Sequence, residues 1–113
     1  MAVSSEARPA HELKATLFRV LGHPVRVRIL ELLSDGERSV GSLRAELGLD
    51  SGGTSQHLSA LRRVGLVESR RAGTTVYYRA ADERVFVLLA AGRELVARQL
   101  AGQQLLLREL GRG

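Results

Sequence analysis

The sequence predicts a mainly α domain with a small β-hairpin, a winged helix-turn-helix that dimerises through its first and last helices. Three observations carry that expectation. Two short amphipathic stretches, "SVGSLRAEL" and "TSQHLSALRRV", flank a tight, glycine-containing turn, which is the helix-turn-helix pattern. Immediately afterwards, "LVESRRAGTTVYYRA" changes from helical to alternating periodicity around a polar turn, which marks a hairpin. The outermost segments carry more Leu and Val than so small a core can cover, so they need a partner.

Residues 1–9 read as a flexible N-terminal tail ending at Pro9, and residues 10–110 as the domain, with dimerisation helices at 10–22 and 82–110. In the first helix Leu13, Leu17, Phe18 and Leu21 recur at helical spacing, and Gly22 stops it. Pro24 then suits the first turn of a second helix, where its missing N–H costs little. Val25, Val27, Ile29, Leu30, Leu32 and Leu33 make that helix central, and Asp35-Gly36 ends it. Ser39 can cap a third helix that buries Val40, Leu43 and Leu47 and ends at Gly48. The fourth follows the Ser-Gly-Gly opening at 51–53 and stops at Gly65, with Leu58 and Leu61 inward. Its start, "DSGGT", carries two glycines that should weaken the first turn by about 1 kcal/mol each relative to alanine. After the hairpin, Asp82 can cap the last helix, whose Leu88, Leu95, Leu100, Leu107 and other apolar residues spread over more than one face.

At 113 residues and 44% apolar content the chain is one globular domain. It has no Cys, which excludes disulfides, thiolate metal sites and cysteine nucleophiles together. Glu6, Arg8, His11 and Glu12 interrupt the start, so no signal peptide is expected, and no apolar run suits a bilayer. No membrane is therefore expected among the partners, and the cytoplasm is the expected location. The formal net charge of +5 suggests a polyanion as partner, although arginine-rich codon usage alone could raise it. Position has to decide.

On a helical wheel, the side of the fourth helix opposite Leu58 and Leu61 presents Gly52, Gln56, Ser59 and Arg63, flanked by Ser55 and Arg62. Such side chains hydrogen-bond base edges or phosphates in a major groove. No acid follows Asp50 on this face, whereas an ordinary solvated face would mix Glu with Lys. The hairpin directly behind it is a wing, and its approach strand and tip, Arg70-Arg71-Ala72-Gly73-Thr74-Thr75, are cationic and hydroxylated. Such a tip can reach a phosphate backbone or a narrow minor groove. Tyr77 and Tyr78, behind the tip, suit strand packing better than base stacking. Ser51, Thr54, Ser55, Gln56, Ser59, Arg62, Arg63, Arg70, Arg71 and Thr74 form the candidate DNA-binding set.

"LGHPVRVRILELL", "SVGSLRAELGL", "TSQHLSALRRVGLVESRRAG" and "VYYRA" resemble, in order and spacing, the ArsR/SmtB family of winged-helix transcriptional regulators. The resemblance covers about residues 13–80. It implies a homodimer on double-stranded DNA at an imperfect inverted repeat, usually a repressor released by an inducer. By matching position it implies a recognition helix of about Gly53–Val64, in which Ser55, Gln56 and Ser59 read bases while Arg62, Arg63, Arg70 and Arg71 lie near phosphates.

The family's metal sites are not intact. Ser39 and Gly41 stand where the paired thiolates of the third helix would be, and the last helix offers Asp82, Glu83 and Glu94 without a histidine. His23 and His57 match family positions that look structural. The remaining loose cluster is His11 and Glu12 with Glu6 on the tail, nitrogen and oxygen ligands that would suit Ni²⁺ or Zn²⁺. An ordinary exposed helix start is the plainer reading of it. An enzyme is not expected, because no nucleophile–base pairing, phosphate loop or paired carboxylates occur. The alternative is a winged-helix module for protein–protein contact that works with a separate sensor subunit.

Overall fold

The computed structural model describes residues 8–112, so Glu6 and most of the expected tail lie outside the described residues. Helix α1 (Ala10–Leu21) leads into α2 (Pro24–Leu32), which tightens into a 3₁₀ turn at Leu33–Asp35. A two-residue strand β1 (Arg38–Ser39) precedes α3 (Val40–Leu47) and α4 (Ser51–Arg63). Strands β2 (Val67–Ala72) and β3 (Thr75–Ala80) form the wing, and α5 (Arg84–Arg112) closes the chain. The expected hairpin is thus the larger part of a three-stranded antiparallel sheet of order β1-β3-β2. A strand of two residues is too short to show a period, so only pairing with Tyr77 and Tyr78 reveals it.

Local chemistry fixes the joints. The His23 ring accepts the Val25 N–H at 3.1 Å, and Pro24 occupies the first turn of α2. Ser39 Oγ accepts the Ser42 N–H at the start of α3, and Gly48 ends that helix in the left-handed region at φ +65°. Asp50 Oδ1 accepts the Gly53 N–H at 2.7 Å, so α4 begins at Ser51, two residues before the expected start. Glycine suits that site: a Cβ on Gly53 would stand 3.1 Å from the capping oxygen. The β2–β3 turn is Gly73-Thr74, with Gly73 at φ +64°, as a type II′ hairpin turn requires at its first central residue.

Ile29, Leu30, Leu43, Leu58, Leu61 and Val67 are fully buried and tie α2, α3, α4 and the sheet together. The end helices are different. No residue of α1 is fully buried, and Leu13, Phe18, Leu95, Val96, Leu100 and Leu107 all stay at least half exposed. The 29 residues of α5 reach about 43 Å at 1.5 Å per residue, well past the core. The radius of gyration is accordingly 18.3 Å, against about 13 Å for a compact domain of this length.

Candidate nucleic-acid interface

Helix α4 packs against α2, α3 and β2 through Leu58, Ala60 and Leu61. The opposite side leaves Ser51, Ser55, Gln56, Ser59, Arg62 and Arg63 exposed. Arg63 lies back along this face, with Nε donating to the Ser59 carbonyl at 3.4 Å. Arg62 Nη1 donates to Ser69 Oγ at 3.1 Å and so anchors the end of α4 to β2. Thr54 does not belong to this surface. Its side chain is completely buried, and its hydroxyl donates to the Asp50 carbonyl at 2.8 Å. A β-branched residue one turn into the helix fills the core and satisfies its own hydroxyl there, so Thr54 is a packing residue and cannot touch DNA.

Strand register sorts the two wing arginines. Val67, Ser69 and Arg71 face the same side as Val76, Tyr78 and Ala80, the side that meets the core and α4. Glu68 and Arg70 face the other way, with Tyr77 and Arg79. On that outer face Arg70 grips Glu37 through two hydrogen bonds of 2.8 and 2.6 Å, and its guanidinium lies 4.6 Å over the Tyr77 ring. Arg79 similarly holds Glu68. Arg70 holds the Glu37 carboxyl below the usual carboxylate range, and Glu37 raises Arg70 in turn. Arg70 therefore braces the outer face of the wing against Glu37 and Tyr77, on the side away from α4. Arg71 makes no ion pair among the described residues. Arg71→Ala should accordingly weaken DNA binding about 5- to 10-fold, and Arg70→Ala less than about 2-fold, as titration by fluorescence anisotropy would show. Sequence reading missed Glu37, whose only signal is an acid placed just before a cryptic strand.

The histidines join the reading helix to the helices behind it. Arg26 Nε donates to His57 Nδ1 at 3.2 Å while Arg26 Nη1 reaches the Val20 carbonyl of α1, and the His23 ring lies 4.4 Å from that of His57. Burial first, then His23 and Arg26, lower the His57 pKa. A histidine held neutral in the fold contributes stability that is complete above about pH 6.5 and declines as pH falls through that value. The melting temperature should thus drop between pH 7.5 and 5.5, and the drop should shrink in His57→Gln. A drop of equal size in the variant would exclude His57 as the source.

Residues that could hold a metal do not assemble. His11 and Glu12 are exposed neighbours on the first turn of α1, roughly 100° apart around the helix, and Glu6 lies outside the described residues. Among the described residues no three His, Asp or Glu gather closely enough to hold an ion. Ser39 is occupied as a cap, and Asp82 is held by Arg84 at 2.6 Å, which keeps its pKa at about 2. Within one chain, the described residues bring no such cluster together.

A capped helix with an acid-free polar face, set behind α3 and beside a cationic wing, defines the winged helix-turn-helix class. A family model described as "Bacterial regulatory protein, arsR family" matches residues 23–69. The HTH-type transcriptional regulator Rv0081 of Mycobacterium tuberculosis is 43% identical over 109 residues, 96% of each chain. The biofilm growth-associated repressor of Agrobacterium fabrum is 38% identical over 87 residues, 74% of each chain. Among solved structures, crystalline M. tuberculosis Rv0081 superposes with a TM-score of 0.79 at 44% identity, covering 86% of this chain and 98% of that one. The homodimeric winged helix-turn-helix DNA-binding domain of Mb0332 from Mycobacterium bovis, solved in solution, gives 0.75 at 37% identity, covering 88% and 94%. The chain belongs to the arsR family of bacterial regulatory proteins: it is a transcriptional regulator and not an enzyme. Among the described residues no helix is long and apolar enough to cross a membrane.

Proposed function

We propose that two copies of the chain pair through α1 and α5 and act as a repressor on an inverted-repeat operator. In this reading α4 enters the major groove. Gln56, Ser55 and Ser59 meet base edges, Ser51 and Thr74 supply hydroxyls, and Arg62, Arg63 and Arg71 meet phosphates. The observation that carries it is the sorting of side chains: the polar row of α4 is wholly exposed and acid-free, and Arg71 shares its side of the wing. The half-exposed Leu, Val and Phe residues of α1 and α5 support the pairing, as does the homodimeric state of the Mb0332 domain. The repressor named among the relatives supports the sign of regulation. The place of action on this reading is the cytoplasm.

Titration of the protein against a duplex from upstream of its own coding sequence, repeated across salt concentrations, tests the reading. The expected result is tight binding whose logarithm falls linearly and steeply with the logarithm of salt concentration. Weak, salt-independent binding would instead support a role in protein–protein contact.

A further inference from the structure

A groove of about 540 Å³ opens between α3, the start of α4 and the wing tip. Arg44 stands on one wall, Ser55 on a second, and Thr74 with Thr75 on the third, above a floor that includes the buried Leu58. Among the described residues no carboxylate lines it. Four other grooves on this molecule each carry Glu or Asp in their walls, so the absence here is local and not a consequence of composition. Arg44 is exposed and makes no ion pair among the described residues. A cation that makes no ion pair among the described residues, with hydroxyl residues beside it and no acid in the lining, suits an oxyanion.

The geometry points to this groove as the seat of one phosphodiester of the bound duplex, with Arg44 as its cationic ligand and Thr74 of the wing tip as hydroxyl donor. The inference rests on the DNA-binding reading above and deepens it. A duplex that touches both the outward face of α4 and the wing tip must pass over the space between them, and that space is this groove. Arg44 carries no sequence information in this role. Its contribution is to fix how deeply α4 sits and how the strand runs from reading helix to wing.

Four measurements on the full chain decide it. Arg44→Ala should weaken binding to the upstream duplex and to an unrelated duplex by the same factor, about 5- to 10-fold, and flatten the salt dependence by about 0.9 in slope. Duplexes carrying one neutral methylphosphonate at successive positions should show one position whose substitution weakens the wild type but leaves Arg44→Ala unaffected. Thr74→Val should reduce the effect at that same position. If the salt slope is unchanged in Arg44→Ala, or if every methylphosphonate affects variant and wild type alike, the groove holds no backbone phosphate even though the protein binds DNA. If millimolar inorganic phosphate perturbs the amide signals around Arg44 while no methylphosphonate matters, the groove takes a free anion and the inference fails. Absence of salt-dependent binding by the wild type would overturn the DNA-binding reading itself, and this inference with it.

Discussion

Phe18→Glu combined with Val96→Glu gives a folded monomer that holds its operator at least about 100-fold more weakly than the wild type, because the second half-site contact is no longer intramolecular. Both side chains are 55% exposed in the protomer and face one apolar groove of about 470 Å³ between α1, α2 and α5. Charges there cost the isolated protomer little, since water already reaches them. In a paired molecule two added carboxylates per chain would be desolvated beside Glu31 with only Arg93 of the same groove to offset them, which costs several kcal/mol. Sedimentation reads the mass, circular dichroism the helix content, and anisotropy the affinity. A dimer of unchanged affinity would place the interface elsewhere, and loss of helix signal would show that these side chains support the protomer itself.

Gln56→Ala has the second large effect, and its signature is selectivity. Gln56 lies at the centre of the exposed face of α4, two turns' reach from its capped start. An amide that pairs bidentately with a base edge discriminates by about 1–3 kcal/mol, roughly 5- to 150-fold. The variant should lose that factor on the operator and almost nothing on an unrelated duplex. Equal losses on both would make Gln56 a backbone contact, leaving base reading to Ser55 and Ser59. Gln56 is preferable to Thr54 as a test, because truncating the buried Thr54 would disturb the core and the first turn of the helix together.

The elements were legible wherever a local signal fixed them. Ser39 and Gly48 mark helix ends by their own hydrogen-bonding and conformational chemistry, and Gly73 marks the hairpin turn, whereas the cap at Asp50 was not read. The unpartnered apolar stripes of the end helices were legible for the same reason, since periodicity shows a surplus that the core cannot absorb. Long-range pairings were not. Arg70 and Arg71, neighbours in one strand, must face opposite sides, but which of them faces α4 emerges only from the pairing with β3 and the burial of Val67. Glu37, which neutralises Arg70, lies 33 residues away, and β1 beside it is two residues long. Thr54 was legible after all: it stands four and seven residues before Leu58 and Leu61, so the wheel that turns those leucines inward turns Thr54 inward with them, and its hydroxyl alone made it look like a surface residue.

The most direct test is a hydroxyl-radical footprint of the purified protein on its operator, read together with the stoichiometry of the complex. Two chains per duplex should protect two patches related by a dyad, with centres about one helical turn apart on the same side of the DNA. A single protected patch, or one chain per duplex at saturation, would contradict the pairing of reading helices.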